Sequence, residues 1–221
     1  MREVVLDTET TGFSPLNGDR LVEIGCVELV NHVPSGRTFH SYVDPECDMP
    51  SSAFDIHGLS SGFLAGKPVF AKVAGGFLDF LGDAPLVIHN AEFDLGFINA
   101  ELARAGRDPV PRSRAIDTVE LARKKFPGSP ASLDALCRRF GIDLAARTKH
   151  GALLDAELLA KVYLELIGGK QPGLGLVREV SRPNGPAGGG ERRPREHAAS
   201  AEESAAHTVF IATLDDPIWH H

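Results

Sequence analysis

Cysteine is scarce here, and what there is does not pair. Cys26, Cys47 and Cys137 are three in 221 residues, an odd number without the close spacing of a zinc site. That excludes a disulfide framework and leads us to expect a reducing, cytoplasmic compartment. No apolar run approaches the roughly 20 residues that cross a bilayer. Nor is there a basic-then-apolar leader, so neither secretion nor a membrane is expected. A positive surplus is missing as well: the formal net charge is −7, which argues against a free-standing nucleic-acid binder, because phosphate affinity grows with each neutralising Lys or Arg. Arg123-Lys124-Lys125 and Arg147-Thr148-Lys149 qualify that exclusion, either as tracks for a phosphate backbone or as solvated helix faces. No repeat recurs at periods of about 20 to 50 residues, which removes solenoids and propellers.

What is present is an ordinary apolar fraction, 43%, enough to bury one α/β core with a tail beyond it. After an opening strand near residue 4, a turn at Asn17-Gly18-Asp19 leads to a long strand over 21–30. A second turn at Pro34-Ser35-Gly36 leads to a third strand over 37–43. Three strands joined by short turns predict an antiparallel meander. Residues 48–66, rich in Ser, Gly and Pro, read as loop with short helical turns before a helix over about 69–81. A short apolar strand, Leu86-Val87-Ile88-His89-Asn90, then precedes a helix over about 92–105. Ala115-Ile116-Asp117-Thr118 reads as a last strand whose polar end caps a helix to Lys125. Ser132 and Gly141 bracket another helix, and the last long one runs over about 152–167. A meander followed by β-α units predicts a mixed sheet flanked by helices.

The chemistry concentrates in carboxylates. In Val4-Val5-Leu6-Asp7-Thr8-Glu9-Thr10-Thr11-Gly12, the i, i+2 spacing puts Asp7 and Glu9 on one face of a strand. Two acids so placed repel unless a cation lies between them, and oxygen ligands favour a hard one, Mg²⁺ or Mn²⁺. The plainer alternative is an exposed acidic strand end running into a glycine turn. Asp94 shares a helix stripe with Ile98 and Leu102, and Asp155 shares one with Leu159, Val162 and Leu166, so both acids face inward, though either alone could simply complement a helix dipole. His150, five residues before Asp155, is suited to general-base work, since histidine as a residue type exchanges protons near neutral pH. Four inward acids beside one imidazole read as a two-metal phosphodiesterase site.

Asp7-Thr8-Glu9-Thr10-Thr11-Gly12, His89-Asn90-Ala91-Glu92-Phe93-Asp94 and His150-Gly151-Ala152-Leu153-Leu154-Asp155 resemble the three motifs of the DEDD exonuclease superfamily in its histidine-bearing branch. Ile56-His57-Gly58-Leu59 and Ser132-Leu133-Asp134-Ala135-Leu136-Cys137 extend the resemblance, which is closest to the proofreading epsilon subunits of bacterial DNA polymerase III and covers roughly residues 1–170. The resemblance implies an RNase H-like fold, with a five-stranded mixed sheet, and 3′ to 5′ removal of nucleoside monophosphates from single-stranded DNA 3′ ends. It implies two divalent cations held by Asp7, Glu9, Asp94 and Asp155, His150 as catalytic base, and Thr8, Thr10, Ile56 and His57, with Asp7 and Glu9, as substrate contacts. It implies the polymerase III alpha subunit and the sliding clamp as partners. Alternatives are a general single-strand DNA or RNA exonuclease of the same superfamily, or a non-catalytic scaffold between clamp and polymerase.

Four regions are expected. Residues 1–170 form the exonuclease domain, and 171–176 is similar to a clamp-binding peptide through Gln171, Leu174 and Leu176. Residues 177–207 read as a disordered linker, because Ser181 to His207 contain no Val, Leu, Ile, Met or aromatic residue. Residues 208–221 gather Phe210, Leu214 and Trp219 into an apolar segment for docking on the polymerase, or for folding back on its own domain. Tethering at high effective concentration would spare an acidic exonuclease from binding DNA tightly by itself.

Overall fold

Alternation in the opening strand sorts its side chains between two cores. In β1 (Arg2–Thr10), Val4 and Leu6 enter one apolar cluster and Val5 the other, as the two-residue period of a strand requires. β1 pairs antiparallel with β2 (Leu21–Val30), which pairs antiparallel with β3 (Val33–Tyr42). On its other side β1 pairs in parallel with β4 (Leu86–Ile88), and β4 with β5 (Ala115–Asp117). The order β3-β2-β1-β4-β5 is the five-stranded mixed sheet expected, with β1 at its centre. The computed structural model describes residues 1–145, 149–168 and 199–213, which fall in two units, one within 1–175 and one within 176–221.

Helices cover both faces of the sheet. Between β3 and β4 the chain forms α1 (Ser51–His57), α2 (Ser61–Leu64) and α3 (Phe70–Leu81), and after β4 comes α4 (Ala91–Arg104). Phe70, Phe77 and Leu81 of α3 and Leu95, Ile98 and Leu102 of α4 pack with Val4 and Leu6. The opposite face is covered by α5 (Thr118–Lys125), α6 (Leu133–Phe140) and α7 (Ala152–Leu166). Leu158, Leu159, Val162 and Leu166 of α7 are all buried. At about 1.5–3 kcal/mol for each such side chain, packing rather than charge holds this helix down.

One turn differs from expectation. The third strand begins at Val33 and not after Pro34-Ser35-Gly36, because Asn31 and His32, both left-handed at φ 51° and 67°, make the reversal. Two such residues match the twist of the strands they join. In the second unit, α8 (Ala201–Ile211) starts inside the stretch read as linker. Ser200 and Glu203 form a reciprocal capping box there, and alanine favours helix without any apolar core. Among the described residues, no helix is long and apolar enough to cross a membrane.

Candidate active site

The site forms at the end of β1 where it leaves the sheet. A register irregularity between Glu9 and Thr10 ends regular pairing with β2, a common device for re-aiming side chains beside an active site. Asp7, half-buried, lies opposite Gly25 of β2. A Cβ at Gly25 would overlap the backbone of Ala152 and Leu153, so only glycine lets the first turn of α7 rest on the sheet there. That contact delivers Asp155, in the first turn of α7, to the face of β1 that bears Glu9.

Glu9, His150 and Asp155 each offer a ligand atom, and the three atoms lie within 4.8 Å of one another. His150 Nδ1 is 3.3 Å from Asp155 Oδ2, and the imidazole is about half exposed whereas Glu9 and Asp155 are buried. Asp7 and Asp94 lie outside this trio. Asp94 approaches from the other helical layer, where the Thr8 hydroxyl donates to its Oδ1 at 2.8 Å. Neighbouring residues of β1, Thr8 and Glu9, therefore carry the two halves of the site.

Asp94 records the electrostatics of this arrangement. Burial pushes its carboxyl from 3.8 up to about 7, and the negative charge of Asp117 adds to the rise, while hydrogen bonds from Thr8 and the local backbone oppose it. A carboxyl driven this far toward neutrality, chiefly by burial, sits where a bare negative charge is costly and a bound cation would favour the ionised form. Oxygen-rich acids with one imidazole are a donor set suited to a hard divalent cation, so the residues fit a metal.

A further acid organises the second half. Asp117 accepts from the backbone N–H of Asn90 at 3.2 Å, Ala91 at 2.9 Å and Val119 at 2.9 Å. One carboxylate thus caps both α4 and α5 and holds the left-handed turn at Asn90, φ 68°, that launches the helix bearing Asp94. His89 Nδ1 lies 2.8 Å from the Thr118 hydroxyl, which itself donates to the Ile88 carbonyl. Sequence reading saw Asp117 only as the cap of its own helix. Its reach to α4 depends on β4 and β5 lying side by side.

Beside the acids is a cavity of about 160 Å³. Five of the six expected substrate contacts, Thr8, Glu9, Thr10, Ile56 and His57, line it, together with Gly12, Phe13, Ser52, Ala53 and Phe93, whereas Asp7 is not in its wall. His57 Nδ1 accepts from the Leu59 amide at 3.0 Å, so the neutral ring carries its proton on Nε2. Burial holds this imidazole below its usual pKa, against the pull of the Thr10 backbone. Nε2 is buried and, among the described residues, makes no well-formed hydrogen bond. Phe13 and Phe93 were not anticipated. The signal for both was an aromatic next to a motif residue, Phe13 after Gly12 and Phe93 before Asp94.

Gln171, Leu174 and Leu176, and likewise Leu214 and Trp219, lie outside the described residues. Phe210 is exposed on α8 in the second unit.

The family designated RNase_T, an exonuclease family, matches residues 4–163. The chain is 46% identical over 222 residues to the DNA polymerase III subunit epsilon of Rickettsia felis, covering 97% of each. It is 44% identical over 227 residues to that of Salmonella typhimurium, covering 93% of this chain and 90% of the other. Among solved structures, the nuclease domain of 3′hExo, a DEDDh family member bound to rAMP, superposes with a TM-score of 0.65 at 20% identity, over 75% of this chain and 91% of that one.

Proposed function

Because this chain belongs to the exonuclease family and, within it, to the DNA polymerase III epsilon subunits, and so is a 3′ to 5′ proofreading exonuclease, we propose which of its residues carry out the hydrolysis and how. Divalent metal use comes with the family. We assign the ions as two Mg²⁺ or Mn²⁺ and their ligands as Asp7, Glu9, Asp94 and Asp155. When bound, such ions lower the pKa of water and offset the charge of the scissile phosphate.

His150 is the general base, taking the proton of the attacking water as its oxygen bonds to phosphorus. Asp155, against Nδ1, orients the ring and steadies the imidazolium that forms. The bond from phosphorus to the 3′ oxygen of the preceding nucleotide breaks with its electron pair going to that oxygen, which takes a proton from solvent, releasing a nucleoside monophosphate and a strand with a new 3′ hydroxyl, and the imidazolium returns its proton to solvent. The terminal nucleotide occupies the cavity beside Glu9, with the backbone at Thr8 and Thr10 along it, the base against Ile56 and the exposed Phe13, and the His57 ring in its wall. Aromatic and aliphatic surfaces suit any base, because every base has a π-face. That tolerance is what proofreading of all four nucleotides requires.

Beyond the catalytic domain, residues 171–176 form the sliding-clamp peptide through Gln171, Leu174 and Leu176. The polymerase core is the partner, and its alpha subunit takes the end of the chain through Phe210, Leu214 and Trp219, in the cytoplasm. The observation that carries the catalytic assignment is the convergence of Glu9, His150 and Asp155 within 4.8 Å. To test it, Asp7→Ala and His150→Ala are assayed on a single-stranded oligonucleotide with Mg²⁺. Turnover is expected to fall in both, by about 10² to 10⁴ for His150→Ala, and parental activity in both variants would overturn the assignment.

A further inference from the structure

Lys149 immediately precedes the histidine, and its side chain reaches the end of α1. Its Nζ lies 3.4 Å from the carbonyl oxygen of Phe54 and 3.3 Å from that of Asp55. It also stands 5.2 Å from the centroid of the Phe54 ring. The stem of the side chain crosses Gly58, where an added Cβ would meet Lys149 Cδ at 2.8 Å. The next backbone amide, that of His150, donates to the Ile56 carbonyl at 3.3 Å. Three successive carbonyls in the last turn of α1 are thus engaged by two successive residues of the histidine segment.

The chemistry of that meeting is favourable. Carbonyls in the final turn of a helix carry the negative end of its dipole, and a cation is stabilised there. The Phe54 ring adds a cation–π contact. The same helix contributes Ala53, Ile56 and His57 to the cavity beside Glu9. One element therefore lines the nucleotide cavity with its side chains and receives the histidine segment with its end.

We infer that Lys149 is a positioning residue for hydrolysis, latching the His150 segment to α1 so that the helix receiving the terminal nucleotide also sets the base. The inference rests on His150 acting as base. Its physical content is that Lys149 acts through the imidazole and touches no reacting atom. Loss of the latch lets the ring drift relative to the phosphate while the cavity itself is unchanged, so kcat suffers and KM does not.

The test uses the full chain with Lys149→Met, which keeps the stem and removes the donors, and Lys149→Arg, which keeps both. On a single-stranded oligodeoxynucleotide with Mg²⁺, Lys149→Met is expected to lose about 10- to 100-fold in kcat, the scale of a small misplacement. KM should stay within about threefold, and Lys149→Arg should recover most of the loss. Hydrogen exchange at the His150 amide reads the latch without turnover: it should be slow in the parent and in Lys149→Arg and fast in Lys149→Met. Parental kcat and parental exchange in Lys149→Met would overturn the inference, as would a loss of kcat that arginine does not restore. His150→Ala at parental activity would instead remove the base assignment, while the exchange experiment still decides whether the latch exists.

Discussion

The two ends of the β1–α7 contact pose the same problem and solve it differently. At one end Glu3 is fully buried, with a hydrogen-bond donor at one oxygen and an imidazole near the other, where no well-formed hydrogen bond is made among the described residues. The Tyr163 hydroxyl donates to Oε1 at 2.7 Å, and His32 Nδ1 lies 2.7 Å from Oε2. Burial and this bond to Glu3 raise the Tyr163 phenol above its usual pKa. At the other end, Glu9 of the same strand and Asp155 of the same helix are also buried, yet they converge on each other and on one imidazole. A buried acid answered by hydrogen-bond donors is architecture. A buried acid answered by another acid asks for a cation.

That contrast can be broken by substitution. The largest effect is expected at the acidic end: Asp155→Ala should reduce Mg²⁺-dependent turnover by at least about a thousandfold, a loss in the range seen when a group central to the chemistry is removed. Its thermal midpoint without metal should hold or rise, since one of the mutually repelling charges is gone. Glu3→Ala should do the reverse, leaving turnover near parental once folded and lowering stability by about 1–3 kcal/mol, because the Tyr163 hydroxyl loses its acceptor. Chemical denaturation beside a turnover assay reads both. If Asp155→Ala were the destabilised variant and Glu3→Ala the inactive one, the contrast would be wrong.

Gly25→Ala comes next. The added methyl must push α7 away from β2 next to Asp7, costing about 1–3 kcal/mol as overpacking does and reducing turnover more than the stability loss alone accounts for. Metal titration by calorimetry should show weaker binding, and unchanged metal affinity would argue that α7 tolerates the shift.

A subtler effect sharpens the contrast through pH. With Asp94 raised from 3.8 to about 7, the folded protein in EDTA keeps a proton on this group that the unfolded chain has released. Stability should therefore fall as pH rises between about 4 and about 7 and level off above, because there the native state binds more protons than the unfolded one. Saturating Mg²⁺ should flatten that slope, and Asp94→Asn should remove its share. A metal-free melting curve whose midpoint climbs across this window would contradict the shift.

The smallest expected change is Thr8→Val, which deletes the donor to Asp94. It should cost about 1 kcal/mol in stability and push the Asp94 transition still higher in pH, since that hydrogen bond favours the charged carboxylate.

Much of the site was legible in the letters because its signals are local. Asp7 and Glu9 share a face by strand period, and Asp94 and Asp155 turn inward by helix period, as both are buried. The Ser132 and Gly141 boundaries hold because capping is settled within one helical turn. The start of β3 was misjudged because Pro34 and Gly36 carry the ordinary turn letters while Asn31 and His32 adopt the left-handed conformation. Lys149 read only as part of a basic run, a phosphate track or a solvated face, because its contact with α1 joins segments more than ninety residues apart. Gly25 did offer one, a glycine amid strand formers, but what it makes room for belongs to a helix over a hundred residues later.

Sequence alone determined which way each acid faces, how the strands and helices alternate, and that an imidazole precedes the last helix, all consequences of periods spanning only a few residues. Tertiary structure decided which acids are neighbours. It drew Glu9, His150 and Asp155 into one trio, gave Asp94 to Thr8 from the opposite layer, and set Lys149 on the end of α1. The reason is that contact between distant segments is fixed by how helices close over both faces of a sheet, and the burial of apolar surface that drives this closure carries no preference for which polar groups are brought together.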